Sequence, residues 1–213
     1  MKGITWVLML VLLACGAAAF AADRATIAYI EGDVTMNGAP ASIGDDVPPG
    51  AVLATSQDSL CQVVFNAKNI VHLAANTTLR FDNAALSRGA TLQKGAVAMV
   101  LRKLAPAPGN GTRFTIKTST GVAGVRGTCF FIAMEDENNT YICACNGSIE
   151  VDGDANQFSQ DLFSSHHAEV RVTRTASGEE TVSPAPLLYH TSADVEAIAA
   201  KIGEKIDWTT LEQ

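Results

Sequence analysis

Between Ala25 and Val151 the chain is built from short, largely alternating apolar runs cut apart by Gly, Asn and Pro: TIAYIEGDVTM, AVLAT, CQVVF, NIVHL, TTLRF, ATLQKGAVAMVL, RFTIKT, TCFFIAM, TYICAC and SIEV. Runs of this length, recurring at intervals of roughly ten residues, favour strands over helices and an antiparallel sheet over alternating βα units. The expected fold class is therefore all-β, a sandwich or rolled sheet of many short antiparallel strands. Pro48-Pro49-Gly50 marks a turn that no strand interior accepts, and residues 105–111, APAPGNG, read as an exposed loop. The chain's 213 residues suit one domain with a sizeable core. After Val151 polar linkers dominate, with one good strand from Ala168 to Thr173, so residues 152–190 are expected to extend the sheet. Thr191 or Ser192 can cap a helix with Asp194 and Glu196 in its first turn, where the positive end of the dipole favours acids. Val195, Ile198, Ala199, Ile202 and Ile206 follow at helical spacing, which predicts one short C-terminal amphipathic helix over residues 191–207, docked on the β body.

The ends and the charge bound the compartment. Lys2, the apolar run Ile4–Ala14 and the small residues before Asp23 have the anatomy of a secretory leader, residues 1–21. Ala19-Phe20-Ala21 fits a cleavage site, while Leu12 to Gly16 resembles a lipoprotein box in which Cys15 would be acylated. A periplasmic or exported location is expected, free or lipid-anchored at Cys15. Loss of the leader removes Lys2 and no acid, so the formal charge of −7 becomes −8. That balance, with no basic stripe, excludes the electrostatic footprint of a nucleic-acid binder. Export also places the four remaining cysteines, Cys61, Cys129, Cys143 and Cys145, where disulfides persist.

Three of these cysteines share a face by pattern. Phe130 and Ile132 form the apolar face of one strand, Ile142 and Ala144 that of the next, and Glu135–Asn139 the polar turn between them. Pairing the apolar faces sets Phe130 against Ala144 and Ile132 against Ile142, and sends Cys129, Cys143 and Cys145 to the other side. Cys143 and Cys145 then stand about 6.5–7 Å apart at Cα. Parallel side chains at that separation are poorly placed for a disulfide. Zn–S bonds of about 2.3 Å suit sulfurs near 3.8 Å apart, so the same pair can grip one ion. His166-His167 can complete the set; adjacent residues on an extended strand point oppositely, so both ligate only if the backbone turns there. Three readings stand open: Cys143 and Cys145 with one or both of His166 and His167, and with or without Cys129, bind zinc, copper(I) or iron; Cys129 bonds Cys145, or Cys61 joins another cysteine, as a structural disulfide; or all are small buried apolar residues. Cys61 alternates with Val63 and Phe65 and is expected in the core. His72, between Val71 and Leu73, is expected on the solvent face. His190, just before the helix cap, is taken as a boundary residue.

The ordered series Glu31-Gly32-Asp33-Val34, then Leu92 with Gly95-Ala96-Val97, then Gly124-Val125-Arg126-Gly127-Thr128 with Phe130, and Asn146-Gly147-Ser148-Ile149-Glu150-Val151 resembles the FecR domain, over about residues 25–151. The resemblance implies an exported β module for sensing or binding, with a cell-envelope protein or small ligand as partner. The cytoplasmic anti-sigma segment and membrane span of the regulator type are not found in this sequence, which puts direct control of a sigma factor in doubt. A subset of exported proteins similar to this one carries a Tyr-x-Cys-x-Cys strand, a His-His pair and a C-terminal helix, corresponding here to Tyr141, Cys143, Cys145, His166, His167 and the segment after Thr191. Gly127 is expected to permit a bulge, Gly147 to break the strand after Cys145, and Arg126 to fasten its turn. No phosphate loop, nucleophile elbow, HExxH, CxxC or haem-attachment motif occurs, so a non-catalytic protein is expected.

Overall fold

The computed structural model describes residues 24–82, 88–102, 114–154 and 157–210. The expected leader with Cys15, the expected loop at 105–111 and the side chain of Arg126 lie outside the described residues. The strands are, in chain order, β1 Ala25–Glu31, β2 Val34–Met36, β3 Ala39–Pro40, β4 Val52–Thr55, β5 Leu60–Phe65, β6 Asn69–Leu73, β7 Thr78–Phe81, β8 Gly89–Leu101, β9 Phe114–Lys117, β10 Gly121–Met134, β11 Asn139–Gly153, β12 Ser159–Ser164, β13 Ala168–Arg174 and β14 Glu180–Pro184, followed by helix α1, Ser192–Ala200. They join in one sheet, and the fold is all-β as the run pattern predicts.

Three long strands roll the sheet by changing partner at mid-length. β8 pairs with β7 along Ala90–Lys94 and with β6 along Val97–Leu101. β10 pairs with β9 along Val122–Val125 and with β8 along Cys129–Met134. β11 pairs with β13 along Asn139–Ala144 and with β12 along Gly147–Asp152. The inner faces enclose one core in which Phe65, Phe81, Phe114, Phe130, Leu53 and Leu79 are fully buried.

Alternation along β10 and β11 sorts the site residues. Phe130 lies opposite Ala144 and Ile132 opposite Ile142, as the apolar pattern dictates, and all four join the inner core. Cys129, Phe131, Tyr141, Cys143 and Cys145 turn to the outer face and form a second apolar cluster with Ile70, Ala98 and Val100. The register shifts on both sides of Cys129, where Gly127 takes φ 54°, so Cys129 lies opposite Asn146 rather than Cys145. That is the bulge expected at Gly127. Gly147 does not end the strand as expected: β11 runs through it, because its backbone pairs with Ser164 of β12 and keeps the ladder intact.

Helix α1 closes the outer cluster, packing on β8 and β6 through Val195, Ile198 and Ala199. Each large apolar side chain so buried is worth about 1.5–3 kcal/mol. Thr191 and Asp194 form a reciprocal capping box at its start. The helix stops at Ala200, short of the expected residue 207. The Glu204 amide bonds the Ala199 carbonyl and the Gly203 amide bonds that of Ala200, with Gly203 at φ 70°, a left-handed stop that only glycine adopts cheaply. Ile202 and Ile206 still pack on the outer cluster from beyond the helix. His72 is on the outer face as expected, but it is half-buried there rather than open to solvent. Its Nδ1 lies 3.2 Å from Gln62 Nε2, and burial lowers its pKa against the opposing pull of Asp194 on α1.

Candidate metal centre

The outer cluster carries four donor atoms at one point. Cys143 and Cys145, two residues apart on β11, place their sulfurs 3.6 Å from each other. His167 Nδ1 lies 3.4 Å from Cys143 Sγ, and His190 Nε2 lies 3.3 Å from Cys145 Sγ. All four atoms fall within 4.8 Å of one another. A tetrahedral ion with Zn–S bonds near 2.3 Å and Zn–N bonds near 2.0–2.1 Å requires edges of about 3.8 Å between sulfurs and about 3.6 Å between sulfur and nitrogen. The observed edges are within a few tenths of an ångström of those.

Each donor is delivered by a different local device. The pleat of β11 brings the two sulfurs to one side. His167 follows a turn after β12, with φ 58° and its amide bonded to the Cys145 carbonyl at 2.9 Å, so the backbone does turn at the histidine pair. His190 sits between β14 and α1, just after Tyr189, which also takes a left-handed conformation at φ 66°. The Leu188 amide donates to the Tyr141 hydroxyl at 3.2 Å, holding this connection on β11.

The imidazoles are oriented from behind. His190 Nδ1 donates to the Leu188 carbonyl at 2.9 Å, which leaves the lone pair on Nε2, the atom facing Cys145. His167 Nε2 lies 3.0 Å from Ser192 Oγ, leaving Nδ1 for Cys143. Ligating histidines are held this way, with the remote nitrogen bonded to a carbonyl, carboxylate or other acceptor. Phe131 stacks on His190 with ring centroids 4.5 Å apart, and Trp208 stacks on His167 at 5.1 Å. Both cysteines are fully buried and His190 is 8% exposed, so water has little access to the donors.

The electrostatics favour a cation. Hydrogen bonding from Cys145 holds the Cys143 thiol well below its ordinary value of 9.0, against the cost of burial and with help from His167 and His190. Burial raises Cys145, and the neighbouring Cys143 raises it further. The pair thus favours a single thiolate, and a bound ion would stabilise the second. Cys61 and Cys129, by contrast, are pushed up by burial to about 12 and about 11 and behave as inert apolar thiols.

Of the expected donors, Cys143, Cys145 and His167 come together. His166 does not join them: its Nε2 bonds Ser192 Oγ at 3.1 Å and its ring lies 5.0 Å from that of Trp208. His190 takes the fourth position. Its only sequence signal is a histidine immediately before a helix cap. Cys129 shares the outer face but stands opposite Asn146 and Val100, outside the donor group. All four described cysteines are free thiols, and Cys61 lies in the inner core, on the other side of the sheet from the rest.

Residues 51–150 match the protein-family model described as FecR protein. Two crystal structures of a candidate anti-sigma factor from Parabacteroides distasonis ATCC 8503, at 1.65 Å and 2.50 Å resolution, are similar to the chain, each with 19% identity, a TM-score of 0.47 and coverage of 62% of this chain and 59% of that one. The chain therefore spans less than two thirds of the length of those proteins. No curated protein matches it.

Proposed function

Because residues 51–150 match the FecR protein family, we propose that the chain is an exported sensing or binding module of the bacterial cell envelope that holds one metal ion through Cys143, Cys145, His167 and His190. The observation that carries the metal reading is the pair of back-bonded imidazoles: both remote nitrogens are engaged, by the Leu188 carbonyl and Ser192 Oγ, and both near nitrogens face the sulfurs. Two thiolates with two imidazoles gathered within 4.8 Å suit zinc first, with copper(I) or iron as competitors. Four protein donors leave no open coordination position, so the role is structural or sensory and not catalytic. Two donors lie within the matched segment and two beyond it, so the ion would clip the C-terminal extension to the FecR domain. The leader-like pattern over residues 1–21 supports a periplasmic or cell-surface location, with Cys15 as a candidate lipid anchor, and the proposed partner is an envelope protein or small ligand.

Elemental analysis of protein purified from the periplasm, beside the Cys143→Ser/Cys145→Ser variant, tests this. One equivalent of metal that disappears in the variant supports the reading. A metal-free protein whose non-reducing intact mass reveals a disulfide would instead favour a structural bridge.

A further inference from the structure

We infer a second binding site, for a small oxyanion of two or more negative charges, on the face of β7, β8 and β9 that points away from the inner core. Register places the residues. Arg80 on β7 lies opposite Thr91 on β8, and Thr91 lies opposite Lys117 on β9, so these three side chains form one row across adjacent strands. The next row on that face runs from Asp82 to Gly89 to Thr115. Gly89 leaves the middle of this patch without a side chain, and Arg88 stands at its margin. The result is a depression of about 340 Å³ lined by Arg80, Arg88, Lys117, Thr91 and Thr115, with Asp82 as the one acid among its described lining residues. Glycine is required there by the backbone itself, because a Cβ at position 89 would meet the Thr115 carbonyl oxygen at 2.2 Å.

Charge makes the depression a site. The whole chain carries a formal −7, yet three cations converge here around one carboxylate. Elsewhere four of the described cations stand in ion pairs: Lys68 and Arg102 with Glu204, Arg171 with Glu135, Arg174 with Asp154 and Glu180. Among the described residues no such ion pair joins Arg80, Arg88 or Lys117 to a carboxylate. Like charges gathered on neighbouring strands repel, and an anion between them relieves that repulsion. Arg80 and Lys117 are two strands apart, about 10 Å at the backbone, and their long side chains can close from both sides on a phosphoryl or carboxylate group. The Thr91 and Thr115 hydroxyls supply neutral donors at the floor. This site uses none of the four metal donors and does not depend on them.

Calorimetric titration of the full mature protein at low ionic strength, with pyrophosphate in one arm and malonate in the other, tests the inference. Saturable binding of either probe, weakened about tenfold or more by Arg80→Gln/Lys117→Gln and by raised salt, is expected. The arm that binds tells phosphoryl from carboxylate recognition. Lys94→Gln, which removes a cation on β8 outside the depression, should leave the affinity unchanged, and an unaltered melting temperature with retained metal would establish that the double variant is folded. No saturable binding of either probe, or equal binding by the double variant, would overturn it.

Discussion

At the level of single residues, the two nitrogens of each imidazole have separate duties. His167→Ala and His190→Ala each delete a donor and should abolish stoichiometric metal, whereas His166→Ala should retain it, since His166 stands outside the donor group with its Nε2 on Ser192 Oγ. Ser192→Ala leaves the donors in place but frees His167 Nε2, and should weaken metal affinity about tenfold in a chelator competition assay. A titrating clasp lies nearby. Glu135 accepts two hydrogen bonds from Arg171, at 2.6 and 2.7 Å, and one from the Tyr189 hydroxyl at 2.6 Å, next to His190. Arg171 above all, with Tyr189, holds its carboxyl below the ordinary glutamate value of 4.5. A depressed folded-state value contributes stability that is full above pH 4.5 and disappears as pH falls through the lower folded value. Melting temperatures of the wild type and Glu135→Gln should therefore differ at neutral pH, by about 1 kcal/mol or less for so solvent-accessible a pair, and converge in acid.

At the level of elements, the β10–β11 hairpin was legible because Phe130, Ile132, Ile142 and Ala144 give it an apolar inner face, and a one-residue slip would bury the wrong side of both strands. β12 and β14 were not: Ser159–Ser164 and Glu180–Pro184 carry mostly polar side chains and are strands because β11 and β13 offer them paired edges. The long β10 hid behind Gly121, Gly124 and Gly127, which locally read as punctuation. Helix α1 is visible from its cap and stripe, but its end at Ala200 is not, because Ile206 continues the stripe past the left-handed Gly203. Thr191→Ala should cost about 1 kcal/mol through the capping box, and Ile198→Ala about 2–3 kcal/mol through the cavity it leaves against the outer cluster. Chemical denaturation of the metal-loaded protein measures both, and the cap variant should also lower metal affinity, since the cap adjoins His190.

At the level of the whole molecule, the proposed site joins parts of the chain that sequence proximity does not. Cys143 and His190 meet only because β13 and β14 carry the chain out and back before α1 crosses to β6 and β8. No local pattern announces that return, so the sequence alone leaves His190 a boundary residue and offers His166 as a donor. An ion held there would fasten the extension to the domain. A strong chelator should then lower the melting temperature and expose residues 185–210 to protease while leaving most of residues 25–151 protected. X-ray absorption at the edge of the metal that copurifies with the protein reads the proposed donor set itself. Two sulfurs at about 2.3 Å and two nitrogens at about 2.0–2.1 Å are expected around the ion. A shell of oxygen and nitrogen alone, without sulfur, would contradict that set.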